Sequence, residues 1–318
     1  MGLISLADVE AAADRIAGVC VRTPLLAAGP GADPGALRVK AESLQPTGAF
    51  KLRGATNAVA MLTDAARSRG VVTHSSGNHA QALACAAGRA GIDCTVVMPE
   101  GSVTAKVDAT RRWGARVQLV PAAERAQACA AIAERSGATV VSPYEDRAVI
   151  AGAGTVGLEV LAESPDVECV LVPVGGGGLV AGVATAVKAL APHVRVVGVE
   201  PELAADATES FRLRRRVAWP VEQTTSTIAD GLRLPTLGAL NWTHIESLVD
   251  DMITVSEQAI VEATRYLALR VRLVAEPSGA VATAAYLGCP DPTTLGRTVA
   301  VLSGGNVDPS AYAALLRA

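Results

Sequence analysis

Residues 169–187 read CVLVPVGGGGLVAGVATAV, nineteen positions without a charge. An uncharged run of that length is long enough to span a bilayer as a helix. Pro173 and the four consecutive glycines Gly175, Gly176, Gly177 and Gly178 interrupt it, so the stretch reads as a buried strand, a turn and the start of a helix. Four glycines exceed the needs of a tight turn and cost conformational entropy. They also let a ligand approach the backbone closely, with every N–H exposed to it. At a helix N-terminus that describes a cradle for a phosphate.

Strand and helix alternate on both sides of this stretch. Short apolar runs rich in β-branched residues lie at 70–73, 94–98, 117–120, 139–141, 169–174, 194–199 and 298–302. Between them are alanine-rich segments of helical length at 78–90, 122–136, 149–163, 179–190 and 257–270. Strands that are apolar throughout, rather than at every second residue, belong to parallel sheets covered by helices on both faces. The fold class expected is α/β. Such units on both sides of about residue 145 predict two sheets with a cleft between them.

The chain has 318 residues, half of them hydrophobic and 3% aromatic, enough to bury a large core of alanine, valine and leucine. Lys and Arg number 28 against 31 Asp and Glu, a net charge of −3 that leaves no electrostatic footprint for nucleic acid or an anionic membrane. The one dense basic run, Arg212 to Arg216, reads as a solvated surface segment. Six scattered cysteines without a C-x-x-C pair imply neither a metal framework nor a disulfide framework. Together with an N-terminus lacking a leader pattern, they predict reduced thiols in a cytoplasmic protein.

Ligands of open α/β sheets bind beyond the carboxyl ends of the strands. Besides the glycine run, two such places are rich in small polar residues. Ser75, Ser76, Gly77, Asn78 and His79 follow the strand at 70–73, and Ser303-Gly304-Gly305-Asn306 follows the strand at 298–302. A fourth feature is Lys51 in SLQPTGAFKLRGA (43–55), between Phe50 and Leu52 at the start of a predicted helix. Taken alone, such a lysine is a snorkelling side chain with its ammonium in water. A Schiff-base lysine, in contrast, must lose its proton to attack, and an apolar flank lowers its pKa by desolvation. One lysine, one phosphate cradle and two polar loops describe a site for a phosphorylated aldehyde. A competing local reading is the dinucleotide fingerprint Gly176-x-Gly178-x-x-Ala181, with Glu200 ending the next strand, which would make the chain an NAD-dependent oxidoreductase. That reading leaves Lys51 and both polar loops without a role.

Seven motifs in order carry a resemblance: TGAFKLRGA (47–55), SSGNHAQA (75–82), PVGGGGL (173–179), TIADG (227–231), LVDD (248–251), EPSGA (276–280) and LSGGN (302–306). Through them the chain resembles, almost end to end, the fold-type-II pyridoxal-phosphate enzymes, in the branch of threonine/serine dehydratases and serine racemases. The resemblance implies two domains, each a mostly parallel twisted sheet flanked by helices, as in tryptophan synthase β. Residues 1–65 and 146–318 would form the large, cofactor-binding domain and residues 66–145 a small mobile one. Lys51 would carry pyridoxal 5'-phosphate as a Schiff base and then take the substrate Cα proton, with Phe50 beside the ring. Asn78 would meet the 3-oxygen, Gly175 to Gly178 and Leu179 the phosphate, and Ser303 the ring nitrogen. Ser75, Ser76, Gly77 and His79 would bind the substrate carboxylate, and Ser76 would be the second acid/base of a racemase. Glu200, the Ala204 carbonyl and Asp206 match a divalent-cation site, oxygen ligands suited to Mg²⁺ or Ca²⁺. The implied activity is β-elimination of threonine or serine to a 2-oxo acid and ammonia by a homodimer, with serine racemisation as the alternative.

The chain departs from the family pattern at several positions. Ala49 stands where a serine is usual, and Leu232-Arg233-Leu234 where racemases carry a serine that grips the substrate, which speaks against racemisation. Leu234 and residues 219–227 are expected at the side-chain end of the substrate. Arg125 is the candidate counterpart of a racemase arginine. The sequence ends soon after Asn306, without room for the regulatory domain of biosynthetic threonine dehydratases.

Overall fold

The structure, a computed structural model, describes residues 2–30, 33 and 35–317. The larger sheet holds β1 (Leu25–Ala27), β2 (Leu37–Ala41), β7 (Cys169–Pro173), β8 (Arg195–Pro201), β9 (Asp251–Val255) and β10 (Thr298–Leu302), in the order β1-β2-β10-β7-β8-β9. The smaller holds β3 (Val71–His74), β4 (Cys94–Pro99), β5 (Arg116–Val120) and β6 (Thr139–Val140), in the order β5-β4-β3-β6. Only β1 runs antiparallel to its neighbour; every other pairing is parallel.

The central strands β7 and β10 are buried at every residue, as strands covered on both faces must be. On one face Val170, Val172, Val299 and Val301 pack under the helices Arg147–Glu163 and Gly178–Leu190. On the other, Leu171, Ala300 and Leu302 pack under Glu257–Tyr266 and Pro277–Leu287. Each fully buried Val or Leu contributes about 1.5–3 kcal/mol, so these two layers fix the register that the site depends on. The helix Lys51–Ala60 is shared between the two halves. Its Leu52, Ala55 and Val59 enter the core around the smaller sheet with Val71, Leu83 and Met98.

All seven expected strands are present, shifted by at most two residues at an end. The segment 122–136 begins as a 3₁₀ turn over Ala122–Glu124 before the helix Arg125–Ser136. The segment 257–270 leaves α geometry at Tyr266 for a π turn over Leu267–Val271. Strands β1, β2 and β9 escaped the sequence reading. β2 reads LRVKA, and its Lys40 is fully buried because Glu159 at 2.8 Å and the Thr23 carbonyl at 2.6 Å take its ammonium. Local apolarity cannot reveal a strand whose charge is neutralised by a distant helix.

Topology places the site. β2, β10 and β7 are parallel neighbours, so their carboxyl ends open on the same crevice. The chain leaves β2 toward Lys51, β10 toward Ser303 and β7 toward Gly175. The last strand in sequence thus lies between an early strand and a middle one, the reversal of order at which α/β sheets bind ligands. Among the described residues no helix is long and apolar enough to cross a membrane, and all six cysteines are free thiols.

Candidate active site

Lys51 reaches its place because two loops are stitched together. The Phe50 N–H donates to the Ser303 carbonyl at 3.0 Å, the Gly305 N–H to the Gly48 carbonyl at 2.9 Å, and the Asn306 amide to the Thr47 carbonyl at 2.7 Å. Gly48 turns the chain with φ +73°, and a β-carbon there would lie 2.3 Å from Asn306 Oδ1, so only glycine fits. Lys51 then opens its helix, and its ammonium turns inward. Nζ donates to the Pro143 carbonyl at 2.5 Å and lies 5.0 Å from the centre of the Phe50 ring. Burial brings its pKa down to about 8. The snorkelling alternative is therefore not what the fold builds.

The glycine run follows β7 with Val174 still paired to Val199. From Gly175 through Val180 no main-chain N–H has an acceptor among the described residues, and pairing resumes at Ala181, which donates to Gly177. Six consecutive orphan donors at a largely buried helix N-terminus are costly unless an anion meets them. Gly177 has φ +89°, and a β-carbon on Gly176 would lie 2.4 Å from the Tyr144 ring. The unpaired donors suit a phosphate, and a side chain at Gly176 is excluded by the Tyr144 ring.

Across the crevice, the loop after β3 opens the helix Asn78–Arg89. The N–H groups of Ser76, Asn78, His79 and Ala80 have no acceptor among the described residues, whereas that of Gly77 leans on Ser75 Oγ at 3.3 Å. They are a second set of donors free to meet an anion. His79 can serve it only through its main chain: its imidazole is buried, with Nε2 3.1 Å from the Val141 carbonyl, and burial holds its pKa down at about 3. Arg125 stands beside His74, whose pKa falls chiefly through burial and secondarily through that guanidinium.

Asn78 links the loop after β3 of the smaller sheet to segments around the larger one. Its Nδ2 donates to Glu276 at 2.6 Å and its Oδ1 accepts from Asn306 at 2.8 Å. Glu276 is buried, which lifts its pKa to about 8, with the Asp230 carboxylate adding to the effect. Glu276, Asn306 and Tyr144 were not among the expected site residues. The first two lie inside quoted motifs, but nothing local marks Tyr144, which arrives through the crossover from β6. Ser303 is buried, and its neighbour Gly304 bridges to Ala49. Leu232 does not line the crevice freely, because its Cα backs directly onto Gly175. Within 219–227, the Thr227 carbonyl is held by the Arg233 guanidinium, and the Trp219 indole donates to Glu209.

Glu200 and Asp206 come together next to the cradle. Glu200 is fully buried at the end of β8 and accepts from the N–H groups of Ala207 and Thr208. It is therefore closed to a ribose hydroxyl, which removes the dinucleotide reading. Burial and the neighbouring Asp206 raise its pKa. Burial likewise raises Asp206 to about 7, and its Oδ2 has no partner among the described residues. Two close buried carboxyls with an orphaned oxygen fit a shared proton or a hard cation. Among the described residues no group of three or more His, Cys, Asp or Glu is placed to hold a metal ion, here or elsewhere.

A partly buried lysine with a lowered pKa, facing an anion cradle across the carboxyl ends of a parallel sheet, defines an enzyme that holds a phosphorylated carbonyl cofactor. The chain belongs to the pyridoxal-phosphate dependent enzyme family, whose model matches residues 16–304. It is 42% identical to an L-threonine ammonia-lyase of Thermotoga maritima over 96% of this chain and 76% of that one. To a serine racemase of Arabidopsis thaliana it is 40% identical, over 95% and 92%. The crystal structure of a threonine deaminase from T.th. superposes with a TM-score of 0.87 at 43% identity, covering 96% of this chain and 99% of that one.

Proposed function

We propose that the protein is a pyridoxal-phosphate-dependent ammonia-lyase that converts a β-hydroxy amino acid, threonine or serine, to a 2-oxo acid and ammonia. The observation that carries the proposal is Lys51, turned inward with a pKa of about 8, opposite six orphan N–H groups. At pH 7 about a tenth of such an amine is neutral, on the order of a hundredfold more than for an ordinary lysine. Gly175 to Leu179 would hold the cofactor phosphate, Ser303 the ring nitrogen, Asn78 the 3-oxygen, and Phe50 a ring face. When bound, the cofactor supplies the electron sink that makes the substrate Cα–H acidic. Lys51 Nζ is the base that takes that proton, and the N–H groups of residues 76–80 hold the substrate carboxylate. Ser303 offers a neutral hydroxyl where a carboxylate would keep the ring nitrogen charged. This limits charge delocalisation away from Cα and favours loss of the β-hydroxyl.

Three further readings belong to the same proposal. Glu200, the Ala204 carbonyl and Asp206 bind Mg²⁺ or Ca²⁺, residues 66–145 close over the substrate as a mobile unit, and the enzyme works as a cytoplasmic homodimer. The relatives named as threonine ammonia-lyases support the elimination, and the serine racemase supports the alternative. The test is 2-oxo acid formation from threonine, serine, hydroxyaspartate and β-aryl serines, with both serine enantiomers measured in one L-serine incubation. Oxo acid as the main product supports the proposal, and D-serine as the main product replaces it with racemisation. Borohydride should abolish the visible band of the loaded enzyme and leave its label on Lys51. A protein that takes up no pyridoxal phosphate would overturn both readings.

A further inference from the structure

Two residues after Lys51 lies the largest fully buried side chain of the protein, Arg53, and nothing in the reaction calls on it. All five of its N–H donors are used. Nε and Nη2 hold both oxygens of Glu42, each at 2.8 Å, and Nη1 and Nη2 hold both oxygens of Glu159 at 2.7 and 2.8 Å. Thr155 accepts from Nη1 at 3.0 Å. Glu42 follows β2 in the chain, whereas Thr155 and Glu159 belong to the helix Arg147–Glu163. Arg53 therefore clamps the Lys51 helix to two separate elements through two bidentate pairs, a geometry lysine cannot reproduce.

The clamp sits where it controls Lys51. Two residues along an α-helix are about 200° apart around its axis, so the Arg53 fork and the Lys51 amine leave opposite sides of the same turn. That turn has no side-chain cap, its N-cap being Phe50, so Arg53 supplies its directional polar anchor beside the apolar packing of Leu52 in the core. The distance between helices is fixed independently. Gly152 touches the Arg53 carbonyl, where a β-carbon would lie at 2.6 Å, and Gly54 touches Val149 in the same way at 2.7 Å. Leu52, Ala55 and Val59 in the core and the Asn57 amide, which donates to the Ala148 carbonyl at 2.8 Å, set the coarse orientation of the helix. The two bidentate pairs of Arg53 set the fine rotation of its first turn, because such pairs are directional and apolar packing is not.

We infer that Arg53 is a positioning residue: its double carboxylate clamp sets the rotation of the first turn and so aims the Lys51 amine at the Pro143 carbonyl and the glycine cradle. The inference rests on the reading of Lys51 as the cofactor lysine only where activity is concerned. Its direct readout is Lys51 in the cofactor-free protein. Trace labelling with acetic anhydride across pH, resolved by mass spectrometry, gives the titration midpoint of Lys51, near 8 in the parent protein.

Arg53→Lys keeps the charge that Glu42 requires but loses the fork. The expected result is a folded protein whose Lys51 midpoint rises toward that of a solvated lysine. In the loaded enzyme kcat should fall on the order of tenfold to a hundredfold, the usual effect of a small misplacement of a reacting group, with KM little changed. Lys188→Met, which removes an ion pair with Asp250 that shares no partner with the clamp, should leave the Lys51 midpoint in place. If Arg53→Lys does not fold, Glu159→Gln loosens one arm of the clamp and should shift the midpoint in the same direction. An unchanged midpoint in the folded clamp variant, or an equal shift in Lys188→Met, would overturn the inference. Failure to bind pyridoxal phosphate would instead count against the proposed function, while the labelling still decides the role of Arg53.

Discussion

Alanine at Gly176 is the sharpest probe of the cradle. A β-carbon there would sit 2.4 Å from Cγ and 2.5 Å from Cδ2 of Tyr144. Carbon atoms in contact need about 3.5 Å, so the ring must retreat by about 1 Å or the glycine loop must open. Tyr144 has little room to retreat, because its own carbonyl is held by Asn241 and packs against Gly178. Overpacking of this kind costs about 1–3 kcal/mol, and a displaced cradle also loses its aim at the phosphate. Urea unfolding of the cofactor-free protein should show the stability loss, and equilibrium dialysis should show pyridoxal phosphate binding at least tenfold weaker. Tyr144→Ala removes the obstacle, so the double variant should recover most of what Gly176→Ala loses, with a coupling of about 1–3 kcal/mol. Two substitutions whose effects simply add would refute the packing argument.

The remaining predictions concern charge. Lys51 has a folded pKa of about 8 against 10.5 when solvated, so the folded state binds fewer protons and its stability rises as pH climbs from 8 to 10.5. Lys51→Met should therefore stabilise the cofactor-free protein at pH 7, by up to about 3 kcal/mol, and the gain should vanish near pH 10.5 while activity is lost throughout. Asp206 is raised to about 7, so the folded state holds extra protons between pH 4 and 7 and loses stability as pH rises through that window. Adding Ca²⁺ or Mg²⁺ at pH 8 should raise the melting temperature, and Asp206→Asn should remove that response; a response that survives places the cation elsewhere. The Lys106–Asp230 pair joins the helix Thr104–Arg112 to the turn Asp230–Leu232 at 2.7 Å but is partly exposed, at 27% and 43%. Asp230→Asn should change stability by less than about 1 kcal/mol, and a larger loss in urea unfolding would show that the pair is screened less than its exposure implies.

Much of this was legible without coordinates. The continuous apolar runs at 169–174 and 298–302 could only be interior strands, since every residue of each had to avoid water. The glycine run could only be a close-approach turn, and small polar residues after buried strands marked the crevice. The alternating pattern likewise gave two parallel sheets and a loop-borne site, because those properties follow from local apolarity and local turn chemistry. What the sequence left open was set by contacts between distant segments. Whether Lys51 reaches water or turns inward depends on the Pro143 carbonyl, which arrives through a crossover from the other sheet. β2 is a strand because Glu159 lies over its lysine, and His79 points away from the substrate loop because Val141 offers a carbonyl there. Arg53 looks in sequence like an ordinary helix arginine, yet the fold encloses it between two carboxylates. Periodicity and turn residues act over a few positions, so sequence alone determines elements and loops. Burial of a charge and the aim of a side chain depend on what packs against them, and only the tertiary structure decides that.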